Sequence, residues 1–410
     1  MRILVLCNDF PSPSFSDTLP VFYLIKHLSL LYHHEITLVS FLSDDARYSS
    51  ETANFCSVET PIKIQMPKST YGQLFRTVKN MLSMGNLSAK AKAGLHPNLL
   101  DLYYSPQMVR KVQSLLQKNK FDLVYCTRAV ANYALNISLP KVVQPYDAVY
   151  DWHRQLYLRG KGVEKLIYGI SYKMTSLYER EVYRRFDACL VVTQRDKDLL
   201  TSLCPQINCA VLPNGVDTEY FSPMDVQEEF PSLVFVADMS ALPTVHSILD
   251  FYDTTYPLIR EEVPQVRLYL VGRNPAREIT NLARDHSVVV TGYVDSVQPY
   301  IAKSSMFIAP LILGTGIKNK VLEAMAMGKC VVTTSIGAQG INAVSGEDLI
   351  ITDDPKEFAA WVIKLLRDKQ LRKKLGDNAR MIIEGEYSWK KIAERLDRIF
   401  GEAVTGHKKR

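Results

Sequence analysis

Short apolar runs recur along the chain, and most are separated by stretches whose apolar residues fall at helical spacing. Ile3 to Cys7 reads as a buried strand, Val21, Phe22, Leu24, Ile25, Leu28 and Leu31 as one helix face, and Ile36 to Phe41 as an alternating strand. Phe121 to Cys126 and Lys141 to Val143 resume the strands, followed by a long Tyr-rich helix over about Glu164 to Arg185 and a strand at Ala188 to Val192. A second series then begins afresh. Leu233 to Val236, Leu268 to Val271, Val288 to Thr291, Met306 to Ala309, Cys330 to Thr333 and Leu349 to Ile351 are apolar runs separated by helical segments. Strands that alternate with helices form mostly parallel sheets, so the pattern predicts an α/β chain with two doubly wound domains, 1–205 and 206–387. Near the end, Ile392, Leu396 and Ile399 share the face of a helix over 388–402, and the tail GHKKR is expected to be loose.

In open sheets of this kind ligands gather at the carboxyl ends of the strands. Several loops at those ends carry candidate chemistry. After Ala309 comes LILGTGIKNKVLEAMAMGK, in which Gly314 and Gly316 let backbone N–H groups approach a ligand and a helix begins at Asn319 or Lys320. Such a turn at a helix N-terminus is an anion cradle; Lys318 and Lys320 add positive charge, and Glu323, one turn in, can accept hydrogen bonds from two neighbouring sugar hydroxyls. A Gly-x-Gly turn ahead of a helix is in most proteins only a turn, so the neighbouring residues carry the reading. Arg273 follows one strand, and Gly292 and Tyr293 follow another. In the first half PYDAVYDWHRQ reads as a crevice loop bearing Asp147, Asp151, Trp152 and His153. His153 and His246 have the right side chain for proton transfer, although a lone histidine is more often structural.

Composition narrows the class. The chain has 410 residues, 47% hydrophobic and 22% charged, enough for two cores, and no run reaches the ~18 apolar residues of a membrane span. MRILVLCNDF is expected to be a first strand and not a targeting segment, and the location to be cytoplasmic. Seven cysteines without metal spacing are expected to be reduced core residues, and no metal site is expected. The net charge of +6 is concentrated between Lys63 and Lys120, where ten cations face one acid, Asp101. Phe75, Val78 and Leu82 fall on one side of a helical pattern there, with Arg76 and Lys79 on the other. That suits either a core helix with a basic outer face or an anionic-membrane contact through 63–120 at the inner face of the membrane. No nucleic-acid reader motif accompanies the charge, so no nucleic-acid partner is expected.

The stretch Val321 to Val332 resembles, almost residue for residue, the donor-site motif of glycosyltransferase family 4, whose helix commonly reads LEAMA-x-G-x-PVV; here Cys330 replaces the usual Pro. PNGVDTEYFSP, within Cys209 to Pro223, is similar to the segment joining the two domains of that family, and YSW at Tyr387 to Trp389 to the start of its last helix. LVGRNP and VTGYVDSVQPY bring the resemblance nearest a branch of exopolysaccharide-associated sugar transferases, firm over about Ser232 to Gly340. The resemblance implies a GT-B fold, two Rossmann-like domains facing each other across a cleft, an acceptor domain first, a donor domain second, and the last helix packed back on the first.

The implied activity is a retaining, metal-independent hexosyltransferase that moves a sugar from a nucleotide-sugar donor (UDP, GDP or TDP not distinguished) to a glycan or lipid-linked acceptor, with no cofactor. Lys320 and Lys318 would stabilise the departing diphosphate, with Asp147 grouped with them as a candidate catalytic residue. Gly314, Thr315, Gly316, Asn319 and Arg273 would line the phosphates, Glu323 the ribose, and Gly292 and Tyr293 the base. Asp151, Trp152 and His153 would lie on the acceptor side. The family's first Glu, eight residues before Glu323, is here Thr315, and Asp238 stands where a basic residue often follows the first donor-domain strand. The loop after the first strand has no glycine, so the family's phosphate contact there does not carry over. Two alternatives stay open: a non-catalytic subunit of the same architecture, and a nucleotide-sugar epimerase that would use Asp147, Asp151 and His153.

Overall fold

The computed structural model describes residues 1–13, 18–43, 48–64, 105–314 and 316–409. Thr315 and the pattern of Phe75, Arg76, Val78, Lys79 and Leu82 lie outside the described residues. The chain divides into two compact units: Met1–Leu212 with Ala393–Arg410, and Pro213–Ile392.

In the first unit the strands are β1 (Arg2–Cys7), β2 (Glu35–Ser43), β3 (Ser57–Val58), β4 (Ile62–Ile64), β5 (Leu123–Thr127), β6 (Lys141–Tyr146), β7 (Ala188–Val191) and β8 (Cys209–Val211). Among the described residues they form one parallel sheet, β3-β2-β1-β5-β6-β7-β8, with β4 beside β2. Its helices are α1 (Leu19–Tyr32), α2 (Pro106–Lys118), α3 (Val149–Arg159), α4 (Gly162–Tyr183) and α5 (Gln194–Leu203). Strands covered on both faces read as continuous apolar runs, and β5 is buried along its whole length. Helix α2 buries Met108, Val112 and Leu115, so this part of the basic segment is an ordinary core helix with an outer charged face.

The second unit holds β9 (Glu229–Val236), β10 (Arg267–Val271), β11 (Val288–Val290), β12 (Ser304–Ala309), β13 (Val331–Thr333) and β14 (Ile350–Ile351), all parallel, in the order β11-β10-β9-β12-β13-β14. Around it lie α6 (Leu242–Thr254), α7 (Tyr256–Glu262), α8 (Arg277–Leu282), α9 (Gln298–Lys303), α10 (Asn319–Ala326), α11 (Pro355–Arg367) and α12 (Lys369–Ile382). Sheet order reverses between β9 and β12, which leaves the ends of β9, β10 and β12 around one point of the carboxyl edge. Each of the six apolar runs read in this half is a strand.

Two expectations change. PYDAVYDWHRQ is not a loop beyond Ala148: α3 begins at Val149 and takes Asp151, Trp152 and His153 into a helix. The start of the tail is not loose either. The last helix, α13 (Trp389–His407), continues into its first two residues, and His407 is anchored to Asp187 Oδ1 at 3.2 Å and to the Ser138 carbonyl at 3.1 Å. Within the first unit the same helix sets Phe400 against Tyr125, ring centroids 5.5 Å apart, and pairs Asp397 with His34 Nε2 at 2.7 Å. All seven cysteines are free thiols, and six are buried. Among the described residues no helix is long and apolar enough to cross a membrane.

At the edge of the second sheet, backbone meets backbone. Gly272, just past β10, has φ +153°, and a Cβ there would stand 1.7 Å from the Ala237 carbonyl oxygen past β9. Gly292 has φ +67° with nothing within 4 Å of the same virtual atom. Gly272→Ala should therefore lose both a conformation and a close contact, roughly 3 kcal/mol or more, whereas Gly292→Ala should lose about 1 kcal/mol for its left-handed backbone alone. Thermal melts of the two variants check this; equal losses would contradict it.

Candidate donor-binding edge of the second unit

Strand β12 is fully buried, and the chain leaves it at Pro310 into a loop fastened from both sides. From β13, Thr333 Oγ1 donates to the Ala309 carbonyl at 2.9 Å, and the next residue, Thr334, donates through Oγ1 to the Leu311 carbonyl at 2.6 Å. From α6, Ser247 Oγ accepts from Ile312 N at 3.1 Å while donating to the Pro243 carbonyl at 2.6 Å. These bonds hold the loop at Ala309, Leu311 and Ile312, just ahead of Gly314. Gly314 and Gly316 both have positive φ, +138° and +68°.

Helix α10 follows directly. Lys318 precedes it without a side-chain capping bond, and its first turn carries no acid, so the helix N-terminus keeps its positive character. Lys318 Nζ donates back to the Gly316 carbonyl at 2.8 Å. Lys320 Nζ reaches both carboxylate oxygens of Glu323, at 3.1 and 2.8 Å. Glu323 is buried while Lys320 is half-exposed; burial pushes the carboxyl upward, and the ammonium opposes it. Asn319, the first helical residue, accepts at Oδ1 from Asn214 Nδ2 at 3.1 Å, and Asn214 Oδ1 is buried with no hydrogen-bond partner among the described residues.

The other candidates of this unit lie at the ends of neighbouring strands. Arg273, past β10, is ion-paired through Nε with Asp238 Oδ2 past β9 at 2.9 Å. Burial acts to raise the Asp238 carboxyl, but hydrogen bonds from Ser240 and the pairing with Arg273 hold it below its usual range. The acid read as a departure from the family pattern is thus the partner of a residue read as a phosphate contact. Gly292 and Tyr293 follow β11, with Tyr293 73% exposed, and His246 is exposed on α6.

The first-unit candidates are arranged differently. The first N–H groups of α3 are satisfied by two carboxylates far away in sequence: Asp196 Oδ1 takes Ala148 N at 3.1 Å, and Glu179 takes Val149 N at 2.9 Å and Tyr150 N at 3.3 Å. Asp151 is buried and accepts from Arg154 at 2.9 Å, Gln155 at 2.8 Å and Arg195 at 2.6 Å. Burial would raise its carboxyl; those three donors outweigh it and hold it low. Asp151 is a clamp between α3 and α5. His153 contacts Thr175 Oγ1 at 3.0 Å, and burial pushes its pKa down to about 4, so the ring is neutral at pH 7. Trp152 is half-exposed. Asp147 pairs with Arg128 at 3.3 Å, and the Arg128 guanidinium lies 5.1 Å from the Tyr146 ring centroid. Arg128, directly after β5, and Tyr146, the last residue of β6, have positive φ, 22° and 73°, a conformation such side chains rarely adopt. Sequence reading passed over Arg128, although a cation directly after a buried strand was the available signal. Among the described residues, no three His, Cys, Asp or Glu side chains gather as a metal-holding group.

A family model for glycosyltransferase family 4 matches residues 77–220, and a second, for glycosyl transferases group 1, matches residues 230–368. The chain belongs to glycosyltransferase family 4. The protein is similar over nearly its whole length to an uncharacterized 44.6 kDa protein in the cps region of Klebsiella pneumoniae, 21% identical over 405 residues, 95% of this chain and 97% of that one. It is also similar to the capsular polysaccharide biosynthesis glycosyltransferase CapM of Staphylococcus aureus, 28% identical over 121 residues, 29% of this chain and 32% of that one. Among solved structures it is similar to Anabaena Alr3699/HepE in complex with UDP and glucose, with a TM-score of 0.64 at 15% identity, covering 98% of this chain and 99% of that one. The fold of this family 4 glycosyltransferase is GT-B, as the resemblance implied.

Glu179 makes the first unit sensitive to pH. Its burial outweighs the two N–H donors and pushes its pKa up to about 8 from 4.5. A carboxyl with a raised folded pKa binds more protons folded than unfolded, so its contribution is complete below about 4.5 and is lost as pH rises through about 8. Tm should fall as pH rises from about 4.5 to about 8, and Glu179→Gln should flatten that slope. An identical slope in the variant would contradict the assignment.

Proposed function

We propose that this glycosyltransferase is a retaining, metal-independent hexosyltransferase that uses a nucleotide-sugar donor, with the donor held at the β12–α10 edge of the second unit. The observation that carries the reading is the Gly314–Gly316 turn at the uncapped N-terminus of α10, with Lys318 and Lys320 beside it and the buried Glu323 one turn in. Transfer breaks the bond between the sugar C1 and the diphosphate oxygen, and negative charge grows on the departing phosphates. Backbone N–H groups at the N-terminus of α10 stabilise that charge without reorganising, and the two ammonium groups, released from Glu323 and the Gly316 carbonyl when the donor binds, add to it. The acceptor hydroxyl forms its bond to C1 on the face the diphosphate leaves, and its proton passes to a departing phosphate oxygen, so no protein nucleophile is required. Glu323 takes two ribose hydroxyls, exchanging its Lys320 contact for them and freeing the ammonium for phosphate. Arg273 and Asn319 complete the phosphate side, and Gly292 and Tyr293 meet the base.

UDP is the donor nucleotide we favour, on the strength of the structural likeness to Anabaena Alr3699/HepE in complex with UDP and glucose. Likeness to a capsular polysaccharide biosynthesis glycosyltransferase and to a protein of a cps region supports a glycan or lipid-linked acceptor. The epimerase alternative loses support, since Asp151 is committed to three donors and His153 is half-buried and neutral at pH 7.

Lys320→Ala should weaken UDP binding by roughly 1.5–3 kcal/mol, about ten- to a hundredfold in Kd, by removing a charge-assisted phosphate contact. Glu323→Ala should weaken UDP more than it weakens inorganic pyrophosphate. Isothermal titration checks both, and parent-like affinity in both variants would misassign the site.

Thr315 in place of the first Glu bears on activity. The parent should release UDP from UDP-sugar when acceptor is present, with EDTA as well as without it. No release across a broad panel of donors and acceptors would favour a binding-only protein.

A further inference from the structure

Helices α3 and α4 form a hairpin whose turn runs through Gly160, Lys161 and Gly162. Leu158 is 64% exposed, Val163 74% and Leu166 66%. Among the described residues only three other large hydrophobic side chains, Leu242, Tyr293 and Met381, are more than 60% exposed, so half of all such exposure is concentrated in one nine-residue tip. Every residue from Leu158 to Leu166 except Gly160 is exposed, as expected of a turn that projects from its unit. Arg159, Lys161 and Lys165 alternate with the aliphatics, against a single acid, Glu164.

From Leu166 the apolar surface continues into an open groove of about 480 Å³ lined by Tyr157, Leu166, Ile170, Tyr172, Leu177 and Lys173. Gly169 makes room for it: the Tyr157 ring lies 3.0 Å from where a Cβ would be. Tyr157 and Tyr172 stack at 6.4 Å, and Lys165 Nζ lies 5.4 Å from the Tyr157 ring centroid.

The interleaving distinguishes the possible occupants. Interface cores between proteins are depleted in lysine, and their aliphatics form a contiguous patch inside a polar rim. Here each exposed aliphatic has a cation within one or two residues, the arrangement that sets apolar side chains in the acyl boundary while long basic side chains stay with the phosphates. A patch with net positive charge complements an anionic bilayer and not a second copy of the same positive tip.

We propose that the α3–α4 tip docks this protein on an anionic bilayer, with Leu158, Val163 and Leu166 entering the interface, Arg159, Lys161 and Lys165 against lipid phosphates, and the adjoining groove open to an apolar chain. It deepens the acceptor reading above by naming the surface at which a membrane-borne acceptor is met, and it rests on that reading only for the acceptor's location. Docking itself requires no turnover.

The test uses the full chain with vesicles of phosphatidylcholine alone or with about one quarter phosphatidylglycerol. The parent should co-sediment with the anionic vesicles at least tenfold better than with neutral ones, and raised salt should weaken this. Leu158→Asp with Val163→Asp and Leu166→Asp should lower the partition at least tenfold; Lys161→Glu with Lys165→Glu should remove the preference for anionic lipid. Both variants alter exposed side chains and should bind UDP as the parent does, measured on the same samples. Absence of sedimentation, equal sedimentation with both vesicle types, or unchanged sedimentation of the variants overturns the proposal, as does a concentration-dependent dimer that the triple variant dissolves. Absence of UDP binding in the parent would sink the donor reading and leave the vesicle result standing.

Discussion

Helix α10 is eight residues long, too short to hold its shape in water, so whatever its N-terminus does depends on clamps from outside. Val321 to Ala326 are all buried. At its C-terminal end, Arg380 donates to the Ala326 carbonyl, and the same guanidinium reaches the Phe221 carbonyl at 2.8 Å and the Thr218 carbonyl at 3.0 Å. Beyond it, Gly328 turns with φ +67° and meets Gly376 of α12 so closely that a Cβ on Gly376 would stand 2.1 Å from the Gly328 carbonyl oxygen. At the other end Asn214 holds Asn319. A short helix gripped at both ends and buried from Val321 onward is held in its direction by those contacts. The direction of its N–H groups is set before any charge develops in front of them, which is the condition for electrostatic stabilisation without reorganisation.

The same clamps explain why the residues that resemble a family are mostly not chemical ones. Gly215 of PNGVD lies under the indole of Trp389, and a Cβ on it would stand 2.6 Å from that ring. Val216 bridges to Ser388, so the PNGVD and YSW segments are two halves of one contact. Tyr387 completes it, with its hydroxyl accepting from Asn342 N at 2.7 Å and donating to the Gly340 carbonyl at 3.3 Å. Phe221 packs against the core of the second unit and offers its carbonyl to Arg380. Of the donor-site stretch, Lys318, Lys320 and Glu323 are the groups we propose to meet the donor.

The sheet architecture was legible because strands buried on both faces write themselves as apolar runs, and β10, β12 and β13 appeared within a residue or two of their limits. So did the start of α10, since a glycine turn followed by helical packing residues is a local signal. The start of α3 was not local. Its sequence, PYDAVYDWHRQ, looks like a loop because the capping groups for Ala148, Val149 and Tyr150 come from Glu179 and Asp196, and no pattern within the segment announces them. Partnerships were hidden for the same reason. Arg273 with Asp238, Arg128 with Asp147 and Asp151 with Arg195 each join residues from separate loops or helices, and only the fold brings the two members together.

A crystal structure of the full chain with UDP bears most directly on the role given to α10. The pyrophosphate should lie against the Gly314–Gly316 turn and the first N–H groups of α10 within reach of Lys320, with the ribose hydroxyls on Glu323 and the base towards Gly292 and Tyr293. UDP bound with its pyrophosphate anywhere else, or with Glu323 still closed on Lys320 and no ribose contact, would contradict that role.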